Sequence, residues 1–175
     1  AQAQRAVTLA RAAGFDNVNL DVMYGLPQQS FEQGLADLQR TVSMAPEHIS
    51  WYQLTIEPHT VFHQKPPSLP EADLVADLEL AGRACLAEAG LRQYEVSAYA
   101  RENRQSRHNL NYWTFGDYLA IGAGAHGKRS QRDAIWRRIR EPHPRRYLAS
   151  AGSAAVLRSE EAVAREALPF EFALN

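Results

Sequence analysis

Along the first hundred residues the spacing of apolar positions switches repeatedly between a helical period and strict alternation. Residues 1–13 read as a helix stopped by Gly14. From Asn17 to Val22 the chain alternates, with Val18, Leu20 and Val22 on one side and Asn17, Asn19 and Asp21 on the other, which predicts a strand. After the turn Gly25-Leu26-Pro27, Ser30 and Gln33 have the spacing of a capping box. They precede the stripe Phe31, Leu35, Leu38 and Val42, which predicts an amphipathic helix. The plan then repeats. His48 to Ile56 reads as a strand, Pro58 to Pro70 as a proline-rich loop, and Ser68 with Glu71 as the cap of a third helix. That helix carries the stripe Leu74, Leu78, Ala81, Cys85 and Ala89, and Gln93 to Ala98 reads as a third strand. Helices alternating with strands predict an α/β fold with a parallel sheet.

The strands share an oddity. A parallel strand between two helical layers should be apolar on both faces. Here each strand has a polar side: Asn19 and Asp21, Gln53 and Thr55, Glu95 and Ser97. A barrel with a polar, ligand-filled lumen accounts for that pattern better than a doubly wound sheet. The pattern predicts that these six residues line one concave surface. Asp21 and Thr55 then sit at the carboxyl ends of their strands, where barrels carry their chemistry.

After Ala100 the alternation stops. Arg101 to Trp113 reads as a loop and Tyr118 to Lys128 as a glycine-rich strand and turn. A basic segment follows, then helices from about Pro144 and Glu160. The basic residues Lys128, Arg129, Arg132, Arg137, Arg138, Arg140, Arg145 and Arg146 face only Asp133 and Glu141, on a chain whose net charge is −1. Such an excess fits a solvated face or a carboxylate or surface partner. Nucleic-acid binding through residues 128–147, with Trp136 and Tyr147, is the reading from a different class, and the confined patch and overall charge weigh against it.

The chain has 175 residues, enough for one domain with a substantial core. Its one cysteine, Cys85, excludes an internal disulfide and reads as a small core residue. No apolar run reaches the length of a membrane span, and no signal sequence opens the chain, so a cytoplasmic setting is expected. Because residue 1 falls inside a predicted helix, a fragment of a larger fold is expected.

Three motifs offer chemistry. Gly122-x-Gly124-x-x-Gly127 matches the dinucleotide fingerprint, but Lys128 to Asp133 reads as an exposed turn where that motif needs a helix. His59 and His63 have metal spacing only on a helix, and Pro58 with Pro66-Pro67 predicts an irregular loop there. The run Ser106-Arg107-His108-Asn109-Leu110-Asn111-Tyr112-Trp113 is richer. It gathers an imidazole, amides and two aromatic faces, the groups a planar macrocycle such as haem needs. The alternative is a buried aromatic corner whose His and Asn satisfy backbone groups.

Several segments match one family in order and spacing. Asn19 to Ser30, reading NLDVMYGLPQQS, resembles the oxygen-independent coproporphyrinogen oxidase superfamily. Ile49 to Phe62, Tyr94 to Ala100, the His108 to Trp113 hexapeptide and the closing Pro169 to Asn175 resemble its haem-chaperone branch, HemW. The resemblance implies the last β/α units of a partial (β/α)6 radical S-adenosylmethionine barrel over residues 1–127. The start of a small, mostly helical C-terminal domain would follow over 128–175. It implies a cytoplasmic haem chaperone using haem, S-adenosylmethionine and a [4Fe–4S] cluster, with an apoprotein as haem acceptor. Asp21 would hold the ribose of S-adenosylmethionine, with Thr55 and His126 lining that pocket. His108, Asn109, Tyr112 and Trp113 would form the haem motif, His108 facing the iron. Gln28 and Glu57 are motif positions with no assigned role. The three cluster cysteines are expected upstream of residue 1, so this stretch alone is expected to be inactive. The alternative within the superfamily is a coproporphyrinogen III oxidase, whose branch lacks the His-Asn-x-x-Tyr-Trp motif.

Overall fold

The computed structural model describes residues 2–173, which form two compact units, one up to Ser106 and one from Arg107. The unit boundary thus falls after Ser106, and the division expected at 127/128 falls inside a strand.

The first unit contains α1 (Gln2–Ala12), β1 (Asn19–Tyr24), α2 (Phe31–Val42), β2 (His48–Gln53), the single turn α3 (Val61–Gln64), α4 (Ala72–Glu88), β3 (Arg92–Glu95) and β4 (Ala98–Ala100). The predicted first position of α1, Ala1, lies outside the described residues. The capping box of α2 forms as predicted: Ser30 Oγ accepts from Gln33 N–H, and the Gln33 side chain accepts from Ser30 N–H. The predicted Ser68/Glu71 box does not form. Glu71 is the N-cap of α4 without a side-chain bond, and Ser68 instead gives its carbonyl to Gln28 N–H.

The sheet is mixed rather than wholly parallel, in the order β1-β2-β4-β3. β1 and β2 are parallel, whereas β4 is antiparallel to both β2 and β3. The predicted third strand breaks at Val96-Ser97 into a hairpin, leaving Val96 exposed. Helices α2 and α4 cover the face carrying Tyr24, Ile49, Trp51 and Tyr99, and Leu38, Leu78 and Leu86 complete that core. Full burial of each such leucine contributes about 1.5–3 kcal/mol. Glycines set the spacing of this layer: a Cβ on Gly34 would meet Leu78 Cδ2 at 2.4 Å, and one on Gly82 would meet the Trp51 ring at 1.9 Å. Cys85 packs half-buried against the core, and burial raises its thiol pKa, which fits its reading as a core residue.

The second unit contains α5 (Arg107–Trp113), β5 (His126–Ser130), β6 (Ile135–Arg140), α6 (Pro144–Ala149), β7 (Leu157–Ala162) and α7 (Leu168–Ala173). Its centre is an antiparallel sheet β5-β6-β7, so this part is not mostly helical. The helix predicted from Glu160 is strand instead, because Glu160 lies opposite Arg138 of β6 and pairs with it. That cross-strand charge pairing outweighs the helix preference of a short glutamate-rich run.

Candidate functional site

The expected concave surface of six residues does not form. Asp21 pairs with Ser50 and Tyr24 with Gln53, so Gln53 lies on the helix-covered face, opposite to Asn19 and Asp21. The offset between β1 and β2 is an odd number of residues, and this exchanges the parity read from each strand separately. Thr55 lies beyond the end of β2. It lines a cavity of about 450 Å³ with Tyr24, Trp51, Gln53, Ser97 and Tyr99, and Asp21 is not part of that lining. The indole N–H of Trp51, itself buried, finds no acceptor there among the described residues. Thr55 Oγ1 donates to Glu57 Oε1 at 2.9 Å, which gives Glu57 a structural partner.

Asp21 belongs to a polar network on the other face, built around a residue that the sequence reading passed over. His48 is only 4% exposed. Its Nδ1 lies 2.6 Å from Asn19 Oδ1 and its Nε2 lies 2.6 Å from the Tyr94 hydroxyl. An amide oxygen only accepts, so Nδ1 carries the proton and Nε2 accepts from Tyr94 O–H. Asn19 Nδ2 in turn donates to Asp21 Oδ1 at 2.8 Å, and Ser106 N–H donates to Tyr94 Oη at 3.2 Å. Every donor in this chain points toward Asp21, which fixes the carboxylate while leaving it exposed.

Burial lowers the His48 pKa below its ordinary 6.5, with Asp21 opposing the shift. A histidine depressed in the folded state contributes stability above its unfolded pKa and loses it as pH falls. Stability is therefore expected to decline as pH drops below 6.5, and His48→Gln to flatten that decline. Urea unfolding across this range checks it; an unchanged pH slope in the variant would contradict the assigned neutral state.

The haem-like motif does not sit in a loop as predicted. His108, Asn109, Tyr112 and Trp113 all lie on α5. At 3.6 residues per turn their spacing places the four side chains within an arc of about 140°. His108 and Tyr112, one turn apart, meet edge to face at 4.8 Å, and Tyr112 packs on Tyr118 at 4.6 Å. Past the helix, Phe115 turns left-handed (φ 56°), and Gly116 fits where any Cβ would strike the Asn111 side chain. Asn111 Nδ2 also donates to the carbonyl of Asp117 at 3.0 Å, which ties the turn down. His108 is exposed and Trp113 is 44% exposed, so the buried-corner reading fails for both.

His126 opens β5 and is exposed. Gly127 continues into that strand rather than opening a helix. Much of the basic segment is neutralised within its own unit. Arg137 pairs with Glu171 and donates to the Tyr118 hydroxyl, Arg138 pairs with Glu160, and Arg146 pairs with Glu141. Lys128 is buried, its Nζ bonded to the Phe115 carbonyl at 2.7 Å and to Asp117 Oδ1 at 3.3 Å.

No family model matches the chain. The chain is 48% identical to the haem chaperone HemW of Haemophilus influenzae, over 100% of its own length. It is 46% identical to HemW of Escherichia coli, over 99% of its length. This chain is a HemW homologue. It spans 45% of the length of each of these curated relatives. Among solved structures, coproporphyrinogen III oxidase from Escherichia coli, described as a radical SAM enzyme, superposes with a TM-score of 0.77. It covers 98% of this chain and 42% of the oxidase, at 18% identity, and so shows a shared fold.

The cofactors implied by the HemW likeness fit this chain unequally. Its lone cysteine is a core residue, and among the described residues no three His, Cys, Asp or Glu side chains come together. These residues do not fit a [4Fe–4S] cluster. Asp21, exposed and held by Asn19, can accept hydrogen bonds from a ribose diol, and the α5 imidazole and aromatic side chains suit haem. Among the described residues no helix is long and apolar enough to cross a membrane.

Proposed function

We propose that this chain provides the haem-handling part of a cytoplasmic HemW-type haem chaperone, which passes haem to an acceptor apoprotein. The observation that carries this reading is the gathering of His108, Asn109, Tyr112 and Trp113 on one side of α5, with the imidazole and indole exposed. An exposed imidazole can approach iron without unfolding its surroundings, and the edge contact from Tyr112 limits how far the ring can turn. Trp113 offers its free face to the macrocycle.

S-adenosylmethionine would be the second ligand, its ribose hydroxyls hydrogen-bonded to the Asp21 carboxylate. The resemblance also gave Thr55 and His126 to this ligand, but Thr55 lines a cavity that does not include Asp21, so the proposal rests on Asp21 alone. The hydrogen bond from Asn19 uses one carboxylate oxygen and leaves the other available to a diol.

Titrating ferric haem into the purified chain tests the iron assignment. His108→Ala is expected to shift the Soret band while leaving the thermal midpoint close to wild type, because the ring is exposed. Trp113→Ala is expected to weaken haem binding without the stability loss of a buried tryptophan, since Trp113 is 44% exposed. An unchanged spectrum in His108→Ala with a changed one in His126→Ala would assign the iron contact to His126 instead.

A further inference from the structure

One face of the second sheet carries charge that its own unit leaves unbalanced. Trp136, Arg138 and Arg140 alternate along β6 and so share a face, and the register places Arg129 of β5 opposite Trp136 and Glu160 of β7 opposite Arg138. Three guanidiniums therefore meet one carboxylate. Arg138 pairs with Glu160, Arg129 approaches the same Glu160 oxygen at 3.9 Å, and Arg140 Nε donates to the Ala120 carbonyl at 3.0 Å.

Between these groups lies a cavity of about 120 Å³, walled by residues 118–121 and floored by Trp136. The indole N–H of Trp136 is buried with no acceptor among the described residues. Beside the cavity, Leu119 and Ile121 are each 81% exposed. Two exposed aliphatic side chains next to unbalanced arginines suit a ligand with an apolar body and an acidic edge. Tyr118, one of the wall residues, packs its ring on Tyr112 of the haem-motif helix at 4.6 Å.

We propose that this cavity receives the propionate-bearing edge of a tetrapyrrole, with the carboxylate held by Arg129, Arg138 and Arg140. The macrocycle would then lie against Leu119 and Ile121. The proposal rests on the haem-handling reading but uses no metal contact, so it applies equally to the iron-free ring. The cavity is comparable to one of about 150 Å³ that holds benzene, which is room for a substituted pyrrole edge and not for the whole macrocycle.

The test uses the 175-residue chain with metal-free protoporphyrin IX and its dimethyl ester, followed by fluorescence. The free acid is expected to bind the wild type more tightly than the ester. Arg129→Gln with Arg138→Gln is expected to weaken the acid about tenfold, the scale of one charge-assisted hydrogen bond, and to leave the ester unchanged. Glu160→Gln, which removes the one opposing charge, is expected to tighten the acid. That gain cannot arise from misfolding. Equal affinities for acid and ester in the wild type, or acid binding indifferent to both sets of variants, would overturn the proposal. In that case a haem spectrum still sensitive to His108→Ala would leave the haem-handling reading standing. Loss of that sensitivity, with the arginine effects intact, would overturn the iron assignment alone.

Discussion

Lys128→Ala is expected to lower the unfolding free energy of the second unit by about 3 kcal/mol, the lower end of what breaking a buried ion pair produces. Lys128 is 1% exposed, with its ammonium bonded to the Phe115 carbonyl, Asp117 and Ser130 and lying 3.8 Å from the Phe115 ring centre. Alanine would leave that carbonyl without its donor and a void where the aliphatic stem packed. The loss stays near the lower end because the Asp117 side chain is 45% exposed and keeps its bonds from Ser130. Asp117 is held below its ordinary carboxylate range first by the Ser130 N–H, with the Ser130 hydroxyl and Lys128 adding to the effect. Urea denaturation measures the change. A loss below about 1 kcal/mol, typical of an exposed pair, would show that the buried ammonium does little for the fold.

Trp51→Ala is expected to destabilise the first unit by about 3–5 kcal/mol. The ring is 2% exposed and packs on Tyr24 at 4.3 Å and Tyr99 at 6.3 Å. Gly82 of α4 lies directly over it, so Gly82→Ala should destabilise despite adding helix propensity. The two sites are coupled. In the Trp51→Ala background the clash is gone, and Gly82→Ala should instead stabilise by about 1 kcal/mol, the propensity difference between alanine and glycine. A double-mutant cycle reads that change of sign, and strict additivity would refute the packing account.

Local chemistry was legible in the sequence wherever one element decides it. The capping box at Ser30 and Gln33 depends only on residues three apart, and it formed. The placement of Cys85 on the buried side of α4 followed from the stripe around Leu78, which the structure shows extending over Val75, Gly82 and Leu86. The His-Asn-x-x-Tyr-Trp spacing pointed to one cluster, although the segment lacks the apolar period that marks a helix. Its helix is closed by the left-handed Phe115 and the close fit of Gly116 against Asn111, neither of which the spacing of apolar residues records.

The sequence by itself determined which residues share a face within a single element, because side-chain direction repeats every 3.6 residues in a helix and every two in a strand. It also carried the likeness to HemW, through motifs that run along the chain. Only the tertiary structure decided which faces of different elements coincide. The register between β1 and β2 put Gln53 behind the sheet and Asp21 in front, and it brought His48, Asn19 and Tyr94 from three separate strands into one hydrogen-bonded chain. The same is true of Glu160, strand rather than helix because Arg138 lies across from it. Register and cross-strand pairing depend on contacts between residues distant along the chain, and no local period contains that information.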